Sequence, residues 1–362
     1  MKVGIITYHN ACSFGAHLQA YALQEVIKSL GHDAWIIDYK GIGFEPPRIN
    51  EFTALFKKPW RFLELYNRYM LKKRFIDFQP YQNRTRHYAS YQELIDNPPD
   101  FDAYICGSDQ VWQPKKLLDS RVVQDEFFLS FVKNNGKKIS YAPSFGTIPS
   151  KDYIANIAPL LAEFDNISVR EESMASIVKS VTGKTTEIVC DPTILLGKDA
   201  FERLLPPKTT LNNGAFFFPL TFDARRDRDI CRNLIRKYGK LNIVAKSRQF
   251  LFIGKNVVPS PLEWMAYIRD SDFVLTNSFH GTVFSILFHK PFITLNWEND
   301  LQNIRVRNLL SRVGLIDRFY DNKDIFGFEE YSEKLIDWDA VDEKLSEWRM
   351  SSLAFLKKTL IK

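Results

Sequence analysis

The sequence predicts an α/β protein with two Rossmann-like domains, each built on a parallel β-sheet. Short apolar, β-branched runs alternate with helical segments along most of the chain, which is the pattern of βαβ units. The chain has 362 residues, whereas single hydrophobic cores rarely grow beyond about 250. A stretch rich in proline, lysine and polar residues at 197–213 interrupts the alternation. We therefore expect domains at 1–192 and 193–330, and a helical segment at 331–362 that can pack back on the first domain.

The first domain is expected to begin with a βαβ unit, with strands at 4–8 and 34–39 and a helix at 16–30. The loop at 9–15 joins strand to helix, a corner where free backbone N–H groups and the helix dipole favour anions. A plain connection explains its spacing equally well. Neither a G-x-G-x-x-G sequence after the first strand nor a Walker A sequence is present, so the usual nucleotide sites are not supported.

Residues 41–99 depart from this pattern and predict a basic, aromatic, helical insertion. Between residues 57 and 86, nine Lys or Arg residues stand against two acids, a local charge of +7 in a chain of net charge +6. Such a segment could lie on an anionic membrane surface or over an acidic glycan. A solvated helix face is the more common explanation, and the aromatic residues fit packing as well, so we do not expect nucleic-acid binding.

The strand expected at 101–106 is followed by a group of polar and aromatic residues. Asp109 and Gln110 can hydrogen-bond sugar hydroxyls, and Trp112 can stack on a pyranose face. This composition is suited to the wall of a sugar pocket. Alternatively, Ser108 caps a helix and Trp112 belongs to the core.

Further strands of the first domain are expected at 138–142, 166–170 and 186–190. Arg170 lies at the end of one of them, where a guanidinium can bind a carboxylate or phosphate bidentately. A salt bridge to one of the two glutamates that follow is the alternative.

His280 lies at a second strand-to-helix turn, in the second domain. A histidine there can reach a phosphate or carboxylate bound at the helix N-terminus, and Gly281 lets a ligand or another backbone approach closely. A turn histidine hydrogen-bonded to backbone is the alternative. The strands of this domain are expected at 215–220, 241–246, 272–277 and 292–296, and the helices at 225–238, 261–269 and 282–288, before a terminal helix at 337–361.

Composition excludes several classes of protein. No apolar run approaches the roughly 20 residues of a membrane span, and the N-terminus is interpreted as a strand rather than a signal peptide, so a cytoplasmic protein is expected. The four cysteines form no C-x-x-C pair, and no metal site is expected.

With these motifs in order, the chain resembles the polysaccharide pyruvyl transferase family. The motifs that carry the resemblance span residues 1 to about 320 and lie at 4–8 with 15–24, 107–112, 168–172, 191–193, 276–282 and 305–307. The resemblance implies a fold similar to the GT-B glycosyltransferases, with the active site in the interdomain cleft. It implies transfer of the pyruvyl unit of phosphoenolpyruvate onto two hydroxyls of a sugar, which forms a cyclic ketal and releases phosphate.

The resemblance also implies partners and roles. The acceptor would be a glycan or lipid-linked oligosaccharide of a bacterial capsule, exopolysaccharide or cell wall, with no cofactor. Peripheral contact with the inner membrane face is suggested separately, by the basic segment at 57–86. His280 is the expected acid/base and Asp109 the second catalytic residue. Donor binding is assigned to Arg170, Ser278, Gly281, Thr282, Lys246, Arg305 and Arg307, and acceptor binding to Ser13, Gly15, Gln19, Gln110 and Trp112.

Two positions depart from the family pattern. Ser278 stands where some branches have an arginine that contacts the donor, so another cation must supply that charge. Ser13 and Phe14 stand where Asn-Tyr is frequent. Two other functions stay open: a nucleotide-sugar-dependent glycosyltransferase of similar architecture, and a non-catalytic relative that binds glycans or anions.

Overall fold

The computed structural model describes residues 1–39, 61–114, 123–208, 213–223, 225–244, 253–297, 300–321 and 327–361. The chain divides into two compact units. Unit 1 comprises Met1–Gly43, Pro80–Gly197 and Glu343–Lys362, and unit 2 comprises Phe44–Gln79 and Lys198–Asp342.

Unit 1 contains a six-stranded parallel sheet. Its strands are β1 (Lys2–Ile6), β2 (Asp33–Ile36), β3 (Ala103–Cys106), β4 (Lys137–Ser140), β5 (Asn166–Val169) and β6 (Glu187–Ile188). They are ordered β2-β1-β3-β4-β5-β6. Most apolar side chains of these strands are buried, as expected for a parallel sheet covered by helices, and Trp35 in β2 and Ile188 in β6 are half-buried.

Unit 2 repeats this architecture. Its strands are β7 (Ala215–Phe218), β8 (Leu241–Val244), β9 (Lys255–Val257), β10 (Phe273–Thr276), β11 (Phe292–Leu295) and β12 (Phe319–Tyr320). All pairs are parallel, and the order is β12-β11-β10-β7-β8-β9. Two parallel sheets with helices confirm the predicted fold class.

The α-helices of the described residues include those expected at 16–30, 225–238, 261–269, 282–288 and 337–361, with ends shifted by at most three residues, and others that periodicity did not place. They are α1 (Phe14–Ser29), α2 (Arg61–Ile76), α3 (Tyr91–Asp96), α4 (Lys151–Ala162), α5 (Glu172–Thr182), α6 (Pro192–Leu196), α7 (Lys198–Glu202), α8 (Arg226–Tyr238), α9 (Pro261–Asp270), α10 (Phe279–Leu287), α11 (Asp300–Val313), α12 (Phe328–Glu333) and α13 (Trp338–Thr359). Within the described ranges, no helix is both long enough and apolar enough to cross a membrane.

Candidate active site

Polar residues gather at one edge of each sheet. Because the strands of a parallel sheet all end on the same side, the loops that follow them lie next to one another, and ligands of open α/β sheets bind at such edges. We call the loops that follow β1 to β6 the unit 1 edge, and the loops that follow β7 to β12 the unit 2 edge.

His280 lies at the unit 2 edge, in the first turn of α10. Ser278 is the N-cap of this helix, and its Oγ accepts a hydrogen bond from the Gly281 N–H at 3.3 Å. This cap starts the helix at Phe279 rather than at Thr282, where periodicity had placed it. His280 is therefore a helix residue, 7% exposed, and its ring meets Phe279 edge-on with centroids 5.2 Å apart.

Gly281 and Thr282 pack α10 against the sheet. A Cβ atom on Gly281 would lie 2.4 Å from Thr276 Oγ1, so only glycine allows this approach. The Thr282 hydroxyl donates to the Ser278 carbonyl at 3.0 Å and lies 2.8 Å from Thr294 Oγ1. Both residues thus fix the position of His280, and donor binding by them stays a prediction.

The predicted donor cations of α11 lie on different sides of the helix. The Arg305 guanidinium lies 5.8 Å from the centre of the Phe279 ring, and the same ring meets His280 edge-on. Arg307 pairs with Asp321 at 3.2 Å and does not share that position. Lys246, the third predicted cation of this unit, lies outside the described residues.

Arg226 is a cation at the unit 2 edge that the sequence did not single out. It lies in the first turn of α8, is 6% exposed, and its Nε donates to Asp227 Oδ1 at 2.8 Å. Burial raises the pKa of the Asp227 carboxyl, although pairing with Arg226 opposes this. The Nη1 of Arg226 also donates to Asn296 Oδ1, and Asn296 follows β11, the neighbour of β10. Only the fold brings these residues together.

Arg170 lies at the unit 1 edge between two carboxylates. Its Nη1 donates to Asp191 Oδ2 at 3.0 Å and its Nε to Glu171 Oε1 at 3.3 Å. The side chain is 3% exposed. The salt bridge to the following glutamate, one of the two arrangements expected, is therefore present, and donor binding by Arg170 stays a prediction.

Asp109 lies close to Arg170. Its backbone is in the left-handed region with φ 73°, and its carbonyl accepts from the Ser144 N–H at 2.8 Å. Burial raises the pKa of Tyr8, and the Asp109 charge adds to this. Burial lowers the pKa of Arg170, but the charges of Glu171, Asp191 and Asp109 outweigh burial and raise it. The structure thus brings Asp109 and Arg170 together.

Trp112 has a packing role. It is fully buried, stacks on Phe128 with ring centroids 5.3 Å apart, and donates its indole N–H to the Phe127 carbonyl at 3.0 Å. The core position expected as the alternative is the one observed. Gln110 is half-buried and contacts Gly146, and acceptor binding by it stays a prediction.

The first loop is tied to the sheet by buried hydrogen bonds. Ser13 caps α1, and Gly15 is buried in its first turn. Gln19 is fully buried, donates to Thr7 Oγ1 at 3.0 Å and accepts from the Ser108 N–H at 3.2 Å, which connects the loops after β1 and β3. The structure shows Gln19 as a support of the unit 1 edge; acceptor binding by these three residues stays a prediction.

The unit 2 edge has the chemistry of an anion site with a proton-transfer group. The first turn of α10 contains no acidic residue, so its free N–H groups and dipole favour a negative ligand. His280, Arg305 and Arg226 add an imidazole and two cations. No group of three or more His, Cys, Asp or Glu side chains that could hold a metal occurs among the described residues.

The fold and these edges define an α/β protein of the GT-B-like kind. The family model described as polysaccharide pyruvyl transferase matches residues 14–299, which is well over half of the chain. The chain therefore belongs to the polysaccharide pyruvyl transferase family, a family of enzymes. Among curated proteins, no sequence matches the chain.

Solved structures share the fold. The UDP-GlcNAc 2-epimerase of Methanocaldococcus jannaschii, in complex with UDP-GlcNAc and UDP, has a TM-score of 0.51 at 10% identity, covering 96% of this chain and 99% of that chain. S. aureus MnaA, in a UDP co-structure, has a TM-score of 0.50 at 11% identity, and the match covers 96% of this chain and 90% of that chain. E. coli heptosyltransferase WaaC has a TM-score of 0.40 at 14% identity, covering 83% and 90%. At these identities the likeness shows the fold alone.

Proposed function

We propose that this chain transfers the pyruvyl unit of phosphoenolpyruvate onto two hydroxyls of a glycan sugar, forming a pyruvate ketal in the biosynthesis of a bacterial capsule, exopolysaccharide or cell-wall glycan. Membership of the family supports the donor and the class of acceptor. The observation that carries the proposal is the place of His280, buried in the capped first turn of α10.

Positive charge at the unit 2 edge supports the choice of donor. Phosphoenolpyruvate carries a phosphate and a carboxylate, which helix N-termini and guanidinium groups bind well. The N-terminus of α10 and Arg305 would supply that charge in place of an arginine at position 278. Arg226 lies at the same edge and is paired with Asp227.

The reaction needs a proton donor and two hydroxyls. A proton delivered to the methylene carbon of the donor gives an oxocarbenium-like centre, which one sugar hydroxyl attacks. The second hydroxyl then displaces phosphate. The two protons that the hydroxyls release balance the proton added to the methylene carbon and the proton taken up by phosphate. His280 is assigned the proton transfer because imidazole titrates near neutrality. Asp109 is assigned to the acceptor side.

Phosphate release tests the proposal. The native chain is mixed with phosphoenolpyruvate and galactose-, mannose- or N-acetylhexosamine-containing acceptors, lipid-linked ones included, and the product is examined by NMR for a ketal. We expect acceptor-dependent release that falls by about 10²-fold or more in His280→Ala, since general acid–base catalysis is typically worth 10²–10⁴-fold. His32→Ala, at the turn between α1 and β2, is the matched control and should retain native turnover. Release without a ketal, or turnover unchanged in His280→Ala, would contradict the proposal.

A nucleotide-sugar donor is the alternative that the same assay separates. Two of the structural neighbours were solved with UDP, but a likeness at this identity leaves the donor open. Turnover with UDP-sugars and none with phosphoenolpyruvate would favour a glycosyltransferase. Binding of glycan without any turnover would favour a non-catalytic relative. Contact with the inner membrane face through residues 57–86 stays a prediction of its own.

A further inference from the structure

A second imidazole–carboxylate group lies at the unit 1 edge. It consists of Asp38, which follows β2, His9, which follows β1, and His87. His9 Nε2 lies 3.0 Å from Asp38 Oδ1, and His87 Nδ1 lies 3.3 Å from the same oxygen. The two rings differ in access to solvent, because the His9 side chain is 1% exposed and the His87 side chain 55%.

Asp38 is held as a carboxylate. Burial by itself raises the pKa of this carboxyl, but hydrogen bonds from His9, Asn10 and His87 outweigh burial and hold the pKa well below its ordinary value. Asn10 Nδ2 donates to Oδ1 at 3.0 Å, so this one oxygen faces three donors. Within the described part of the chain, no donor contacts Oδ2 of Asp38.

Backbone hydrogen bonds fix His87 against Asp38. The Asp38 N–H donates to Thr85 Oγ1 at 3.0 Å, and the Tyr88 N–H donates to the Asp38 carbonyl at 2.7 Å. These bonds lie on either side of His87 in the sequence. The residues on either side of His87 are thus tied to Asp38, which keeps the imidazole within reach of that carboxylate.

Hydrogen-bond chemistry assigns the protons. A carboxylate only accepts, so the tautomer of His87 that suits Asp38 has its proton on Nδ1, and that tautomer keeps a lone pair on Nε2. His9 lies between two acceptors, the Thr7 carbonyl at 3.1 Å and Asp38. Each ring nitrogen of His9 thus already has a partner, so His87, whose side chain is 55% exposed, is the imidazole of this group that can reach a ligand.

We propose that His87, oriented by Asp38, is the general base that takes the proton of an acceptor hydroxyl. This inference rests on the proposed function. The O–H bond breaks and its proton passes to Nε2, while an electron pair of the hydroxyl oxygen forms the bond to the cationic carbon derived from the donor. The π electrons of that centre return to the ester oxygen, and the imidazolium later gives its proton to water. Asp38 and His9 are positioning residues.

The place of the group suits the acceptor. In the order β2-β1-β3, Asp38 and Asp109 follow strands on either side of β1, two strand spacings or about 10 Å apart. The loop at 9–15, to which the sequence assigns acceptor binding, lies between them. An acceptor bound over this loop can meet both carboxylates and His87.

Other charges near His87 are balanced. Arg86 pairs with Glu93 at 2.8 Å. The pKa of Glu93 is lowered mainly by the Ala89 N–H and to a lesser degree by Arg86 and His87. Arg84, whose Nη1 donates to Asn10 at 3.0 Å, lies on the other side of Asp38. Asp38 is thus the carboxylate in contact with the ring.

The turnover of His87→Ala tests the proposal. We expect kcat to fall by about 10²-fold or more, with KM for phosphoenolpyruvate within threefold of native, whereas His32→Ala stays native. The pH profile of native kcat should contain a limb that is absent in His87→Ala. Added imidazole should raise the kcat of His87→Ala at least tenfold. A kcat of His87→Ala equal to that of the native chain would overturn the role of His87. So would a fall in kcat that imidazole does not reverse and that leaves the pH profile of kcat unchanged.

A measurement without turnover separates this inference from the proposed function. In the full-length chain, ¹⁵N NMR of the histidine rings should show His87 protonated at Nδ1 and bare at Nε2, and Asp38→Asn should abolish that preference. A ring protonated at Nε2 in the native chain would overturn the role of His87 whatever the donor. If the native chain releases no phosphate from phosphoenolpyruvate, the proposed function fails, and the NMR result still decides the proton arrangement.

Discussion

At the scale of single residues, burial in an ion pair decides how the role of a cation can be tested. Arg170 is enclosed by Glu171 and Asp191, so two carboxylates surround one guanidinium in a buried group. Removal of one partner of such a group typically costs about 3–5 kcal/mol, because a charge is left uncompensated. A loss of activity in an Arg170 variant would therefore not distinguish lower stability of the fold from weaker donor binding. Arg305, over the Phe279 ring, is the cleaner residue with which to test donor binding.

His17 yields a prediction of pH-dependent stability. Burial, and then the charges of Arg84 and His9, lower its pKa from 6.5 to about 3, with the Ala11 backbone opposing this. Below pH 6.5 the unfolded chain takes up a proton that the folded chain refuses, so stability falls as the pH falls. Between pH 8 and pH 5 this one side chain accounts for a loss of about 2 kcal/mol.

His17→Gln should therefore reduce the loss of unfolding free energy between pH 8 and pH 5 by about 2 kcal/mol. Urea titrations followed by circular dichroism at the two pH values measure this difference. The comparison holds even if the substitution itself lowers the unfolding free energy at pH 8. The native chain, titrated in parallel, is the reference. An equal pH dependence in both proteins would show that His17 is protonated while folded.

The residue pairs also show what the sequence could not predict. His280 was predicted because a polar turn between an apolar strand and a helix is a local pattern. The contact of His9 with Asp38 spans 29 positions, and that of Arg226 with Asn296 spans 70. These contacts depend on the order of the strands, which periodicity does not give. Trp112 had the right composition for a sugar platform, and only burial shows its packing role.

At the scale of elements, caps and packing set the boundaries that periodicity blurs. All the strands expected from the sequence are present within a few residues of their predicted bounds. Strands β9 and β12 were not predicted, because their 3 and 2 residues are too few to show an alternating pattern. They form by pairing with their neighbours in the sheet. Helix α10 begins three residues earlier than expected because Ser278 caps it. This shift moves His280 from a loop into a helix.

The approach of α10 to β10 gives a prediction for Gly281→Ala. The added methyl group would lie 2.4 Å from Thr276 Oγ1, so the helix must move away from the strand and take His280 with it. Overpacking of this kind typically costs about 1–3 kcal/mol. We expect that loss in thermal or urea unfolding, together with a fall in turnover.

A double-variant cycle with Thr276→Ala controls for other effects of the alanine. Because Thr276→Ala removes the clashing hydroxyl, the two variants together should destabilise the chain by less than the sum of each alone. Additive losses would mean that the contact with Thr276 is not the cause.

At the scale of the whole molecule, the positive charge is concentrated in one segment. Residues 57–86 carry a local +7, so the rest of the chain is close to neutral. Within this segment α2 buries Leu71 and Phe75, while Tyr66 and Tyr69 are 48% and 66% exposed. Exposed aromatic rings beside lysines form the kind of helix face that lies on anionic membranes.

Vesicle binding by the full-length chain tests whether this face meets a membrane. A lysine near an anionic surface is worth about 1 kcal/mol, so its reversal to glutamate should cost about twice that, or roughly 30-fold in the partition coefficient. We expect this loss for Lys73→Glu on vesicles with 30% phosphatidylserine. Added salt should also lower the partition coefficient of the native chain. Lys151→Glu, an equal charge change at the first residue of α4 in unit 1, is the control and should bind like the native chain. Equal partition of the two variants would show that the charge of α2 serves solubility or an acidic glycan, and that the acceptor reaches the enzyme without membrane contact through this helix.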